Sequence, residues 1–128
     1  MAQKNVIVTK QRRSDLVKAS AGAIELPVIV GMAFGNGGAG PHGEAVAPDE
    51  GQTELKNELF RKENDTYSFV DDTTCRYECT LTEEELADEY INEIGLYDVN
   101  GNIVCIKTFR PKGKDGDLQM TFLLDDMF

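Results

Sequence analysis

Basic residues are scarce in this chain of 128: 13 Lys and Arg stand against 23 Asp and Glu, a formal net charge of −10. A nucleic-acid binder needs basic surface to displace counterions from phosphates, so that class is excluded, and so is docking on an anionic membrane surface. No apolar run approaches the roughly 18 residues of a membrane span. The most apolar stretch, residues 23–34, is interrupted by Glu25 and Pro27. The N-terminus has no apolar h-region, so no signal peptide is expected. Three cysteines make an odd number, which does not suit a secreted disulfide framework and fits a reducing cytosol.

Catalytic parts are missing as well. His42 is the single histidine and lies in a glycine-rich stretch with nothing apolar to orient it. None of the serines, Ser14, Ser20 and Ser68, stands in Gly-x-Ser-x-Gly. Cys75 and Cys79 fall on one face of a strand, but at about 3.3 Å per residue their Cα atoms are about 13 Å apart, too far to share one ion or one disulfide. They read as core cysteines. With 23 acids, any single carboxylate pair is uninformative as a hydrolase site. The string Gly35-x-Gly37-x-x-Gly40 imitates a dinucleotide fingerprint. That fingerprint must open a helix, whereas Pro41, His42 and Gly43 follow here. The main reading of the stretch is a contact-making loop. The alternative is a small cytosolic ligand-binding domain using the 35–43 loop. No catalytic residue, metal or cofactor is expected.

What is present is patterning for a small globular protein, with 41% apolar and 28% charged residues. Residues 1–20 carry five basic side chains against Asp15 alone, and the remaining residues carry a net −14. A basic end on an acidic body suits docking against neighbours. Residues 9–20 suit a helix with Leu16 and Ala19 on one side, stopped at Gly22. Residues 23–34 are rich in β-branched side chains and predict a strand broken at Pro27. A Gly-rich loop follows over 35–50. Residues 53–63 are ambiguous: Leu55 and Leu59 are four apart as on a helix, yet Leu59 and Phe60 equally suit a strand. Strands are predicted over 66–70 and 74–81. In the second, Cys75, Tyr77, Cys79 and Leu81 alternate with polar residues. Thr82 with Glu85 matches a capping box and predicts a short helix ending near Glu89. Residues 90–98 and 103–109 flank Asn100-Gly101, a hairpin signal. A polar loop over 112–117 leads to a last alternating strand with Leu118, Met120, Phe122 and Leu124 on one face. The expected fold is α+β: a small antiparallel, β-rich sheet or sandwich of five to six strands, with the N-terminal helix and one further short helix, in one domain over 1–128.

Glu93 is the acid that stands out. It lies inside an apolar strand, where an unpaired carboxylate is costly. Either it faces solvent, or it takes hydrogen bonds from a neighbouring loop and fixes that loop. Arg61 is a candidate partner, since a guanidinium meets a carboxylate bidentately.

Three segments in order resemble a known family. Residues 32–38 (MAFGNGG), 53–61 (TELKNELFR) and 93–101 (EIGLYDVNG) are similar to the N-terminal domain of bacteriophage tail-collar fibre proteins. Leu55, Asn57, Glu58 and Arg61 match the middle segment; Glu93, Gly95, Leu96, Asp98 and Gly101 match the last. Asn36 replaces an acid usual at that place, and the opening helix is more basic than the family's alanine-rich form. The resemblance implies a structural role without enzymatic activity: an attachment module for a fibre or baseplate, in a virion tail or in the host cytoplasm before assembly. It implies other phage tail or baseplate proteins as partners and a homo-oligomer, a trimer included. The family's shaft and receptor-binding tip are not in this sequence, so host recognition is not carried over. Gly35, Gly37, Gly38, Asn57, Glu58, Arg61, Glu93, Gly95 and Gly101 are the candidate structural and contact residues.

Overall fold

A computed structural model describes residues 5–128. Its elements in chain order are β1 (Val6–Val8), α1 (Lys10–Ser20), β2 (Ile29–Gly35), β3 (Glu58–Glu63), β4 (Thr66–Asp71), β5 (Thr74–Leu81), β6 (Tyr90–Asp98), β7 (Ile103–Gly113) and β8 (Met120–Met127). The fold is mostly β, with two antiparallel sheets. One has the order β1-β7-β6-β2-β3 and the other the order β4-β5-β8. Both sheets give their inner faces to one core. Met32 and Phe34 of β2 and Ile94 and Leu96 of β6 meet Cys79 and Leu81 of β5 and Phe122 and Leu124 of β8. Phe34 and Phe122 cross edge to face at 5.2 Å, a favoured aromatic geometry.

Among the described residues there are eight strands where five to six were expected. The apolar triplet 6–8 pairs with β7, with Ile7 opposite Ile106. The ambiguous segment 53–63 divides: Leu55 is buried in a loop, and Glu58–Glu63 pairs with β2. Strand β2 begins only at Ile29, because Pro27 has no N–H to give a ladder. Strand β7 runs on to Gly113, and β8 starts at Met120, which leaves Leu118 exposed.

The second helix does not form. Glu85 Oε1 accepts from the Thr82 amide at 2.8 Å, one half of the capping box, but Leu86 and Asp88 then take positive φ of 52° and 64°. Tertiary contacts hold the segment open. The Asp88 amide donates to Lys114 O at 2.7 Å, and the Lys114 amide donates to Glu89 O at 2.8 Å. Lys114 itself is 1% exposed and caps the carbonyl oxygens of Glu83 and Asp115 at 3.0 and 2.9 Å. A continued helix would take the Glu83 carbonyl for its own ladder.

Helix α1 starts at a strong cap. Thr9 Oγ1 accepts from the Arg12 amide at 3.2 Å and donates to Ile103 O at 2.9 Å, tying the helix start to β7. Its buried residues are Arg12 and Asp15, while Leu16 and Ala19 are only half-buried. The basic end is therefore spent partly within the chain: Arg12 pairs with Asp126 at 3.6 Å and Arg13 with Glu50 at 3.3 Å.

The hairpin between β6 and β7 turns on Asp98 and Gly101. Asp98 Oδ1 accepts from the amides of Asn100 and Asn102 at 2.9 and 3.0 Å, and Gly101 has φ +84°. An L-residue in that region costs about 1–2 kcal/mol. Gly101→Val is expected to lower the melting temperature by several degrees in a thermal denaturation scan; an unchanged midpoint would contradict the turn geometry.

Cys79 and Cys105 are buried, and burial pushes both thiols up to about 12. Cys75 is half-buried. The thiolate is the reactive form. A disulfide-exchange reagent at pH 8 is therefore expected to label at most Cys75 in the native protein and all three thiols in denaturant. Rapid native labelling of three would contradict this core.

Candidate functional site

The outer face of the five-stranded sheet is covered by the loop that joins β2 to β3, residues 36–57. The alternation of β6 sends Ile94 and Leu96 into the core and Glu93, Gly95 and Tyr97 outward, beneath this loop. Leu55 plugs the loop down onto Ala33, Ile103 and Ile106.

Glu93 is 0% exposed, and its carboxylate accepts three backbone N–H bonds. Oε2 accepts from the amides of Gly37 at 2.7 Å and Asn57 at 2.9 Å, and Oε1 accepts from the Lys56 amide at 2.9 Å. One carboxylate thus clamps both ends of the loop. Asn92, beside it, accepts from the Gly38 amide at 2.7 Å and donates to Asn36 O at 3.2 Å. The Asn36 amide donates to Asn57 O at 3.1 Å, and their side-chain amides also pair. Thr108 Oγ1 donates to Val46 O at 2.8 Å and holds the middle of the loop.

This clamp explains the glycines. A Cβ on Gly35 would lie 2.5 Å from Asn57 O and 2.7 Å from Glu93 Oε2. On Gly37 it would lie 2.6 Å from Lys56 Cβ, and on Gly38 it would lie 2.6 Å from Asn92 O. The Gly-x-Gly-Gly string lets backbone approach a carboxylate of the same chain. The amides that a phosphate cradle would offer, those of Gly37 and Gly38, are already engaged.

Arg61 is not the partner of Glu93. It forks onto Glu58 at 2.8 and 2.7 Å and donates to Gly101 O at 3.2 Å. Its guanidinium carbon lies 4.6 Å from the centre of the Tyr97 ring, a cation–π distance. The hydrogen bond to Glu58 raises the Arg61 guanidinium further above its usual range against the opposing pull of desolvation, and burial raises the Tyr97 phenol. The Tyr97 ring lies across Gly31, where a Cβ would meet it at 2.2 Å. Gly95 lies under Leu55 and against Cys105 O.

The nine candidate residues therefore gather on one outer face in two linked clusters. Gly35, Gly37, Gly38, Asn57 and Glu93 form the clamp, with Gly95 beneath Leu55. Glu58, Arg61 and Gly101 form the ion-pair cluster beside Tyr97. Sequence reasoning missed Asn92, Thr108 and Lys114. Asn92 carried a usable signal as a polar residue next to Glu93 inside an apolar strand. Thr108 and Lys114 carried none, since their partners are backbone carbonyls.

The geometry is that of a scaffold: a β-sandwich with an ordered outer loop, whose buried acid is consumed in holding backbone. The model of the phage tail-collar fibre protein N-terminal family matches residues 1–120, and the chain belongs to this family of phage tail fibre structural components. No curated protein matches the chain.

Proposed function

We infer that the chain is a non-enzymatic attachment module of a phage tail, acting through protein–protein contacts with other tail or baseplate proteins and as a homo-oligomer. One unit over 1–128 performs this role in the virion tail. The observation that carries the reading is the buried Glu93 carboxylate and its three backbone donors. Its two oxygens accept three backbone N–H bonds, which hold both ends of the 36–57 loop and fix an ordered surface for neighbours. Catalysis uses carboxylates that can exchange a proton or attack; one buried beneath three backbone N–H donors is committed to holding them instead.

The ligand-binding alternative for the 35–43 loop is not favoured, because Glu93 and Asn92 already occupy its amides. The test is co-expression with the tail and baseplate proteins of the same gene cluster, followed by affinity capture and light scattering. Capture of a named tail protein with an oligomeric mass supports the reading. A strict monomer that captures none of them contradicts it.

A further inference from the structure

The small sheet carries an uncovered apolar edge. Strand β4 is the outermost strand of β4-β5-β8, and every residue in it is exposed. Its register sets Tyr67 opposite Tyr77 and Phe69 opposite Cys75. Farther along β5 the same face supplies Cys79 and Leu81 to the core. Tyr67 and Phe69 therefore lie on the inner face of the sandwich, yet they are 61% and 76% exposed, because the larger sheet does not reach them. The two rings pack edge to face at 5.8 Å. Beside them a cleft of about 300 Å³ opens between the sheets, lined by Ile29, Val30, Tyr67, Tyr77 and Asn64. The Asn64 side-chain nitrogen and oxygen are both buried without a hydrogen-bond partner among the described residues.

Natural sheet edges are blunted by lysine, proline or a covering element. The TYSFVD sequence of β4 has neither residue, and only a bulge near Val70 interrupts it. Acids frame the strip instead: Asp65 precedes it, and Asp71 and Asp72 close it. Lys62 and Arg76 of the adjoining strands are tied to Glu85 and Asp125.

We propose that β4 accepts an extended segment of another tail protein as an added strand, with an apolar side chain in the Ile29–Tyr67–Tyr77 cleft and Lys or Arg at its flanks. Strand addition supplies main-chain hydrogen bonds, and the cleft supplies selectivity. Charge complementarity selects the occupant. A second copy paired antiparallel through β4 would set Asp65 near the partner's Asp71, a like-charge arrangement that destabilises. The inference rests on the attachment reading and specifies its surface and the chemistry of its partner.

The probe is a synthetic peptide of alternating valine and threonine with a central phenylalanine and two lysines at each end, titrated into the intact protein by amide NMR. The expected result is shifted amides over residues 64–71, binding that weakens with salt, and at least about tenfold weaker binding to Phe69→Lys. That side chain is largely in solvent, so the variant folds; Tyr67→Lys serves as a second one. Replacement of the peptide lysines by glutamates is expected to abolish binding. Three results overturn the proposal: no shifts over 64–71, equal binding of the acidic peptide, or dimerisation of the protein alone that Phe69→Lys abolishes. None of these bears on capture of tail proteins, so failure here is distinguishable from failure of the attachment reading.

Discussion

Glu93→Ala is expected to lower stability by at least about 3 kcal/mol. The variant strands the amides of Gly37, Lys56 and Asn57, and each buried donor left without an acceptor costs about 1–3 kcal/mol. Against a typical total of about 5–15 kcal/mol, this is a large fraction. Glu93→Gln is the finer probe, because it keeps shape and volume. The glutamine amide has one oxygen for a site where both oxygens accept. Whichever way it turns, its NH2 faces an N–H donor, so at least one bond is lost and two donors confront each other. Its expected cost is about 1–3 kcal/mol, below that of alanine. Urea titrations of the three proteins measure both differences. A Glu93→Ala midpoint equal to that of the natural chain would mean that the loop is held by Leu55 and Asn92 rather than by the carboxylate.

Arg12→Met carries the second large expected effect. Arg12 and Asp126 are each 7% exposed and touch at 3.6 Å, and the Arg12 Nε and Asp126 Oδ1 atoms are buried without partners among the described residues. The geometry is poor for a buried pair, whose desolvation is repaid only by close and complete hydrogen bonding. Burial pushes the Asp126 carboxyl up, and the charge of Arg12 offsets this only in part. Removing Arg12 leaves an uncompensated buried carboxylate, at a cost of about 3–5 kcal/mol near neutral pH. The sign of the pH dependence follows from the raised value. A carboxyl whose folded pKa lies above its unfolded one favours the folded state at low pH, and that contribution is lost as pH rises through the folded pKa. Without Arg12 the carboxyl rises further. The deficit of Arg12→Met is therefore expected to shrink as pH falls toward about 4 and to grow toward neutrality. A deficit independent of pH would contradict the assignment to Asp126. Adding Asp126→Leu to Arg12→Met is expected to restore most of the loss, since an apolar pair of similar volume replaces a buried ion pair at little cost.

Local signals foretold the parts of the fold that local physics decides. Asn100-Gly101 marked the β6–β7 hairpin because few residues other than glycine take positive φ easily. The period of two in residues 75–81 and 120–124 marked β5 and β8, since alternation is what a half-buried strand requires. The helix over 10–20 was legible, but its seating was not: Leu16 and Ala19 suggested an apolar face, and the structure buries Arg12 and Asp15 instead. The helix expected after Thr82 failed for a tertiary reason. Half of the capping box forms, yet the Asp88 amide and the Glu83 and Glu89 carbonyls are taken by Lys114, about thirty positions away in the chain. Strand β3 was hidden because Leu55 and Leu59 fit two periods at once.

The site shows the same division. Glu93 stood out because a carboxylate in an apolar strand needs an explanation. Its donors were invisible, because they are backbone amides, which every residue except proline carries. Charge reasoning pointed to Arg61, whereas neutral N–H groups satisfy the acid and Arg61 serves Glu58 and Tyr97. The glycines at 35 and 37 resembled part of a ligand loop because close approach to any anion, internal or bound, needs the same missing Cβ.

Glu93 is spent on holding the 36–57 loop to the sheet. Amide hydrogen exchange of the intact protein, compared with Glu93→Gln, measures that hold amide by amide. The predicted result is strong protection of Gly37, Lys56 and Asn57 in the natural chain, lost selectively in the variant while Ile94 and Leu96 of the core stay protected. Fast exchange of the three loop amides in the natural chain, or protection unchanged by the substitution, would contradict it.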